Sequence, residues 1–357
     1  MEIPSFIKRI VKESLGIKEK ENVIIQTYKH TLDMAEQFAL ACRSSKARTH
    51  ILVDTDDLLY NLTIDTPIEY LKKPDPLESH LYDIPITSIN LGGPEDPTRL
   101  AKISPERMEA WSRGSEAVYQ KMLEKKPKAV YLSLGQITPQ RAKSYGFDYD
   151  SWMKNSMDAL DVDYKTLSDS GNRLIDVIKS GVEMVISSGN DTHMTVSIKD
   201  STTANYDGVY GDESRGTAFI LPAGYVTIVP QGGSGKFVSD VPWGQMSVLI
   251  HEISFSFEDG TLKSFDGGKN INVIKDIWDK ASGRKDRLGY IIIGTNPAAK
   301  PGYLNNELVA GCVTVGVGDN RWIGGDIEAS GNWQGSLTKA KVEIDGRVII
   351  EDGKMKL

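Results

Sequence analysis

The stretch "NVIIQTYKHTLDMAEQFALACRSSKARTHILVD" (22–54) decides the fold of the first half of the chain. Residues 22–28 and 49–54 are rich in Val, Ile, Thr and Tyr, a composition typical of β-strands. Between them, residues 31–45 carry apolar side chains at helical spacing. A strand, a helix and a second strand in this order predict a parallel sheet covered by helices.

The same alternation continues along the first half. We predict strands at 84–92 and 128–135, with a helix over 104–126 between them. Further helices are expected to about residue 181. The sequence therefore predicts an α/β N-terminal domain with a largely parallel sheet over residues 1–184.

The sequence pattern changes after residue 184. Short segments of alternating polarity, separated by glycines, are typical of antiparallel strands, and one helix is predicted at 272–282. We therefore predict that residues 185–357 form an α+β, mostly antiparallel C-terminal domain.

Bulk composition narrows the class of protein. The chain has 357 residues, 39% of them hydrophobic and 25% charged, which is ordinary for a globular protein and predicts no membrane partner. Its net charge of −7 is spread among interspersed acids and bases, whereas nucleic-acid binding needs clustered Lys and Arg. The short basic run "EKKPK" (124–128) is interpreted as a solvated helix end. No nucleic-acid partner is expected.

Two further features predict a cytoplasmic location. The segment "MEIPSFIKRIVKESLG" (1–16) has no apolar run followed by a small-residue cleavage site and is predicted to be a helix. The chain has two cysteines, Cys42 and Cys312, which are far apart in apolar surroundings. They are interpreted as small core residues of a protein in a reducing compartment.

Common catalytic motifs are absent from the sequence. "GGSGK" (232–236) lacks the spacing of a phosphate-binding loop and is interpreted as a turn, and neither G-x-S-x-G nor G-x-G-x-x-G occurs. Five histidines are present, none in a metal-binding spacing such as H-E-x-x-H. These patterns alone indicate no particular chemistry.

A family resemblance adds what the patterns lack. The segments that carry it are "TPQRAKSYGFDYDSWMKNSMDALDVDYKTL" (138–167), "LPAGYVTIVPQGGSG" (221–235), "GYIIIGTNPAAKP" (289–301), "NNELVAGCVTVGVGDN" (305–320) and "GGDIEASGNWQ" (324–334). Together they resemble the aminopeptidase T family of two-metal metallopeptidases. The resemblance implies two divalent ions that activate a bridging water, and a homodimer.

The chain departs from this family at each implied metal ligand. By the resemblance, Tyr225 and Tyr290 stand in place of two glutamates, Thr314 in place of a histidine, Asn332 and Gln334 in place of the His and Asp of a His-Trp-Asp motif, and Arg321 in place of a tyrosine. Trp333 is retained, and Glu307 remains from an Asp-Glu pair.

These replacements remove charge but keep polarity. Losing three carboxylates leaves hydroxyl and amide groups, which are weak ligands for zinc-like ions, so no metal cofactor is expected. Arg321 adds a positive charge, which either pairs with Glu307 or Asp319 or binds the carboxylate of a ligand. Several polar groups in one place indicate a ligand, an internal network or water.

Three functions stay open. The first is a repurposed member that binds or transforms a small, carboxylate-bearing molecule or short peptide without metal, with Arg321 as anion anchor and Tyr225 or Tyr290 as a possible acid. The second is an aminopeptidase that uses zinc or cobalt on displaced ligands, drawn from Asp191, His193, Asp212, Glu213, Glu307, Asp319, Asp326 and Glu328. The third is a non-catalytic scaffold or assembly partner.

Overall fold

The computed structural model describes residues 3–211, 218–245 and 248–357. Asp212 and Glu213, two of the displaced ligands considered above, lie outside the described residues. The described part divides into two compact units, the first from Met1–Lys143 with Gly208–Pro222 and the second from Ser144–Asp207 with Ala223–Leu357. The domain boundary proposed at residue 184 falls inside the second unit.

A parallel five-stranded sheet forms the centre of the first unit. Its strands are β1 (Asn22–Tyr28), β2 (Arg48–Asp54), β3 (Thr87–Asn90), β4 (Lys128–Leu132) and β8 (Ala218–Leu221), in the order β2-β1-β3-β4-β8. The described helices of this unit are α1 (Ser5–Arg9), α2 (Leu32–Ser44), α3 (Asp56–Asp65), α4 (Ile68–Leu71), α5 (Pro76–Leu81), α6 (Pro105–Lys125) and α7 (Pro139–Tyr145), which runs into the second unit. The predicted parallel sheet is confirmed.

Local sequence explains where the long helix α6 begins. Ser104 caps its first turn by accepting a hydrogen bond from the Arg107 N–H, and Pro105 occupies the first helical position, where no N–H is needed. The helix ends at Lys125, and the residue that follows it, Lys126, has a left-handed backbone.

One strand of the parallel sheet comes from the part of the sequence assigned to antiparallel strands. β8 pairs with β4 in parallel, so that Leu221 lies opposite Leu132. The hydroxyl of Ser133 donates to the carbonyl of Leu221 at 3.2 Å. A short apolar strand has the same appearance in either kind of sheet, because its partner is set by tertiary structure.

The second unit is mostly antiparallel, as predicted. Its helices are α8 (Tyr149–Leu160), α9 (Tyr164–Ser180) and α10 (Ile271–Lys280). An eight-stranded sheet has the order β14-β13-β10-β6-β5-β18-β19-β20, from β5 (Glu183–Ser188), β6 (Thr192–Ser197), β10 (Gly232–Val238), β13 (Ser254–Glu258), β14 (Thr261–Asp266), β18 (Lys341–Ile344), β19 (Arg347–Glu351) and β20 (Lys354–Met355).

A second, five-stranded antiparallel sheet in this unit carries the positions that matter for function. It has the order β17-β16-β15-β9-β7, from β7 (Thr202–Tyr206), β9 (Tyr225–Val229), β15 (Leu288–Gly294), β16 (Val313–Gly318) and β17 (Asn332–Leu337). A short pair, β11 (Trp243–Gln245) and β12 (Val248–Ile250), completes the described strands. Apolar side chains of both large sheets form one core, which includes Met194, Phe237, Ile291 and Val315.

The interpretation of "GGSGK" as a turn is wrong. Residues 232–236 lie within β10, which pairs with β6 on one side and β13 on the other. Gly235 has a φ of +122° and a Cβ there would overlap the carbonyl oxygen of His193. Glycine is therefore used here for close approach of two strands, which a sequence cannot distinguish from a turn.

Two smaller expectations can also be checked. Both cysteines are buried, and burial raises the pKa of the Cys42 thiol to about 12, as suits a core residue. No helix in the described ranges is long and apolar enough to cross a membrane.

Candidate functional site

The five-stranded antiparallel sheet has two faces of different character. Side chains alternate between faces along each strand, and the register of the five strands fixes which residues share a face. The apolar face, part of the large core, carries Val226, Ile228, Ile291, Ile293, Val313, Val315, Val317, Trp333 and Leu337. The polar face carries Tyr206, Tyr225, Thr227, Tyr290, Ile292, Thr314, Gly316, Asn332, Gln334 and Ser336.

The sheet brings together most of the residues singled out in the sequence. Tyr225, Tyr290 and Thr314 lie on three adjacent strands, and Asn332 and Gln334 lie on the next strand, β17, all on the polar face. Trp333 alternates to the apolar face, where it is buried and packs edge-on against Trp278 at 4.8 Å between ring centroids. Trp333 therefore supports the core and does not contribute to the site.

Tyr290 and Gln334 join the two sides of strand β16. Both are in register with Gly316, and a Cβ at Gly316 would overlap the ring carbons Cζ, Cε1 and Cε2 of Tyr290. The ring thus lies across the strand at the one place without a side chain. Its hydroxyl donates a hydrogen bond to Gln334 Oε1 at 2.9 Å. Two residues that the resemblance assigns to metal-ligand positions are therefore bonded to each other.

Tyr225 has a different environment. Its ring stacks on that of Tyr206, with centroids 4.8 Å apart and planes inclined by 14°. Burial raises the pKa of Tyr225, and the neighbouring Tyr206, Glu307 and Tyr290 raise it further, so the hydroxyl is neutral in the physiological range. Among the described residues, none hydrogen-bonds to this hydroxyl.

The other polar positions are likewise either hydrogen-bonded to each other or without a described partner. The hydroxyls of Thr314 and Ser336 are 2.7 Å apart and satisfy each other while fully buried. Asn332 is only partly buried, and within the described ranges its side-chain amide has no hydrogen-bond partner. Within the described ranges, the hydroxyl of Thr227 has no hydrogen-bond partner either, but Thr227 is buried, whereas Tyr225 and Asn332 are partly exposed and remain free to contact a ligand.

Glu307 is a carboxyl whose charge raises the pKa of both Tyr225 and Tyr290. It lies in a 3₁₀ turn, Asn306–Leu308, which packs against strand β15. Burial raises the pKa of its carboxyl to about 7, although a hydrogen bond from its own backbone N–H opposes the shift. No other described side chain pairs with it. A carboxyl with this pKa can accept or donate a proton near neutral pH.

Arg321 is not one of the free polar groups, because its guanidinium is already paired. Its Nε and Nη2 atoms lie 2.7 Å and 2.6 Å from Asp319 Oδ2, and its Nη1 atom lies 3.1 Å from Glu328. Burial alone would raise the pKa of Asp319, but hydrogen bonds from Arg321 and from the Ala329 N–H lower it overall. The internal pairing with Asp319, rather than with Glu307, is the alternative that the structure contains.

The displaced-ligand set does not converge within the described part of the chain. Asp191 pairs with Lys236 at 2.5 Å, and Asp326 with Arg284 at 3.2 Å. Asp319 and Glu328 are paired with Arg321. Over residues 3–211, 218–245 and 248–357, no three His, Cys, Asp or Glu side chains could together hold a metal ion.

Four residues that contact the predicted site side chains were not identified from the sequence. They are Tyr206, Gly316, Trp322 and Ser336. Trp322 packs edge-on against Tyr290 at 5.5 Å and lies 6.2 Å from Tyr206. Strand alternation places Ser336 beside Gln334 and could have indicated it, but the pairing of β7 with β9, which brings in Tyr206, has no local signal.

Comparison with known proteins gives one family. A model of the family described as thermophilic metalloprotease (M29) matches residues 2–299. This range includes Tyr225 and Tyr290 and ends before Glu307. No curated protein matches the chain.

Solved structures share the fold over nearly the whole chain. The structure is similar to wild-type AmpT from Thermus thermophilus, with a TM-score of 0.74, 13% identity, and coverage of 99% of this chain and 98% of that one. It is also similar to 2,5-dihydroxypyridine dioxygenase from Pseudomonas putida KT2440, with a TM-score of 0.61, 12% identity, and coverage of 98% and 95%. The fold class predicted from the sequence is confirmed.

The donors on the polar face do not fit a pair of divalent ions. Two such ions repel each other, and bridging carboxylates normally offset this repulsion. Among the described residues, Glu307 is the one carboxyl whose charge acts on both Tyr225 and Tyr290, and burial disfavours its charged form. Burial also raises the pKa values of both tyrosines, so neither supplies a phenolate.

Proposed function

Since the chain belongs to the M29 family of thermophilic metalloproteases, we propose that it is a member that has lost the two-metal peptidase site and binds a small molecule without metal on the polar face. The observation that carries this proposal is the Tyr290–Gln334 hydrogen bond, which joins through neutral groups two positions that the resemblance assigns to metal ligands. Neither side chain carries a charge, and the Tyr290 hydroxyl and Gln334 Oε1 are occupied by each other.

The fold itself is compatible with chemistry other than peptide hydrolysis. A 2,5-dihydroxypyridine dioxygenase is similar in structure to this chain over most of both lengths. When one fold hosts more than one chemistry, the reaction has to be assigned from the residues of the site.

The ligand we propose is neutral or carries an amine. Arg321, considered as the anchor for a carboxylate, is engaged by Asp319 and Glu328. The ionisable group beside the tyrosines is the acid Glu307, which favours a cation or a hydrogen-bond donor over an anion. The stacked rings of Tyr206 and Tyr225 add aromatic faces that attract cations.

In this proposal the free polar groups bind the ligand and the paired groups hold the site in shape. The Tyr225 hydroxyl and the Asn332 amide supply hydrogen bonds. Glu307 holds a proton near neutral pH and passes it to or takes it from a ligand atom within reach, which is the one catalytic step this set supports.

A thermal-shift screen tests the proposal. Primary amines, amino acid amides, free amino acids and aromatic carboxylates are compared, because a ligand that binds the folded chain raises its melting temperature by mass action. We expect amine-bearing compounds to stabilise the wild type and to lose this effect in Glu307→Gln. The control variant is Glu328→Gln, which removes an exposed carboxyl that pairs with Arg321.

Two outcomes contradict the proposal. Stabilisation by carboxylates that depends on Arg321 would restore the anion-binding alternative. Turnover of aminoacyl reporter substrates with added zinc or cobalt would restore the aminopeptidase with displaced ligands.

The homodimer implied by the family and the cytoplasmic location remain proposals. Light scattering of the 39.4 kDa chain tests the homodimer.

A further inference from the structure

A cavity of about 800 Å³ lies in the first unit, at the end of the parallel sheet where its strands begin. Asn22, Thr87 and Lys128, the first residues of β1, β3 and β4, line it together with the turn before β1 and the end of α6. Its volume is within the range of sites that bind small molecules. It contains none of the residues of the polar face.

Each acidic side chain that lines this cavity is already paired with a cation. Glu19 lies 3.6 Å from Lys46, and Glu21 lies 2.7 Å from Lys128. Asp83 lies 2.5 Å from Lys121 and 2.7 Å from His80.

The Glu21–Lys128 pair is a fixed part of the wall. Both side chains are at most one-fifth exposed, and the hydroxyl of Thr87 donates a second hydrogen bond to Glu21. Lys128 also donates to the carbonyl of Leu15 at 2.8 Å and lies 5.0 Å from the centre of the Tyr210 ring. The charges of Glu21 and Lys128 therefore offset each other in the cavity wall.

Four other lysines line the cavity and have no ion-pair partner in the part of the chain that the structure describes. Lys18 and Lys20 come from the turn before β1, and Lys125 and Lys126 come from the end of α6. Among the described residues, no carboxylate lies within ion-pair distance of any of these four ammonium groups. Within the described ranges, these four ammonium groups carry a charge of +4 that no carboxylate offsets, whereas the whole chain has a net charge of −7.

The helix end explains only half of this arrangement. Lysines near a helix C-terminus are favoured by its carbonyl groups, which accounts for Lys125 and Lys126. Lys18 and Lys20 lie in a turn, and the neighbouring acids Glu19 and Glu21 pair with other lysines. A solvated helix end, the interpretation given to "EKKPK" above, does not account for the second pair.

We propose that this cavity binds a small polyanion that carries at least two negative charges, such as a phosphate- or carboxylate-bearing metabolite. Lys18 and Lys20 contact it from one side, and Lys125 and Lys126 contact it from the other. Ammonium groups bind such ligands as point charges without demanding one geometry. Binding is therefore sensitive to salt, because the lysines are exposed.

Isothermal titration of the full chain with inorganic pyrophosphate, and separately with citrate, tests the proposal. We expect saturable binding at one site that weakens steadily with added salt. In Lys18→Gln/Lys125→Gln the affinity should fall by about fivefold or more, since two exposed charge contacts are lost.

The matched control is Lys72→Gln/Lys143→Gln, which changes the net charge equally at two exposed lysines of the same unit outside the cavity. We expect less than about a twofold change in its affinity. Urea unfolding checks that both variants are folded.

Each outcome bears on the proposal. Binding of pyrophosphate alone identifies a phosphate ligand, and equal binding of citrate identifies a polyanion site in general. Equal losses in the cavity and control variants would show a diffuse effect of net charge and overturn the proposal, as would the absence of binding by either probe.

Discussion

The two faces of the five-stranded sheet share a backbone but differ in how their side chains are satisfied. The apolar face carries Val, Ile, Leu and Trp side chains that pack into the large core. On the polar face, hydroxyl, amide and aromatic groups satisfy one another in pairs, such as Tyr290 with Gln334 and Thr314 with Ser336. Every metal-ligand position implied by the resemblance that lies in this sheet is on the polar face.

If the two-metal site was lost as we propose, this difference explains how the scaffold could persist. The apolar face and the strand register are set by burial, which tolerates few changes. On the polar face, the positions that the resemblance assigns to metal ligands carry neutral groups, two of which bond to each other. A pair such as Tyr290–Gln334 keeps buried polar atoms satisfied without an ion.

The largest expected effect separates two neighbouring isoleucines on opposite faces. Ile291→Ala removes a fully buried side chain from the large core, and we expect a loss of about 3–4 kcal/mol in the free energy of unfolding. Ile292→Ala, in the smaller cluster of the polar face, should lose about 2 kcal/mol. Urea unfolding measures both, and equal losses would contradict the contrast between the faces.

The next effect tests how Tyr290 is placed. Gly316→Ala puts a methyl group where the ring of Tyr290 lies, and we expect a loss of about 2 kcal/mol. In a Tyr290→Ala background the same change should cost well under half as much, because the ring is gone. A double-mutant cycle of unfolding free energies measures this coupling, and additivity of the two changes would show that the ring does not lie over Gly316.

A pH-dependent effect tests Glu307. Its pKa is raised from 4.5 to about 7, so the stability it contributes is fully present below about pH 4.5 and is lost as pH rises through about 7. Glu307→Gln should therefore gain roughly 1–3 kcal/mol over the wild type between about pH 5 and about pH 8. Unfolding at a series of pH values measures the gain, and a gain of the same size in Glu328→Gln, which removes an exposed carboxyl, would show that Glu307 is not its source.

The smallest effect compares two tyrosines of the polar face. Tyr290→Phe removes the hydrogen bond to Gln334 and should cost about 1 kcal/mol. Tyr225→Phe removes a hydroxyl with no described partner and should cost less than about 0.5 kcal/mol. Thermal unfolding without ligand measures both, and a larger cost at Tyr225 would show that the paired and free groups are assigned the wrong way round.

Much of the fold could be predicted from the sequence because local patterns determine it. Residues 22–54 form β1, α2 and β2 nearly as expected, since composition and helical spacing act within the segment. The strand β8 and the "GGSGK" segment could not be assigned, because partner choice and close approach of strands depend on residues far away in sequence.

The candidate site was predictable in its positions and less so in its pairings. The resemblance indicated Tyr225, Tyr290, Thr314, Asn332 and Gln334, and the sheet register places all five on one face. It could not show that Tyr290 reaches Gln334 across Gly316, or that Arg321 is held by Asp319. Those contacts follow from side-chain geometry, which becomes defined only when the strands are paired.

The most direct test of the central claim is the metal content of the purified chain, measured by elemental analysis after incubation with zinc or cobalt and removal of unbound ion. The replacement of charged ligands by neutral groups that bond to each other predicts well under one equivalent of divalent metal per chain, in the wild type and in Tyr290→Phe alike. Two equivalents that are retained by the wild type, and reduced when Glu307 is replaced by Gln, would contradict it.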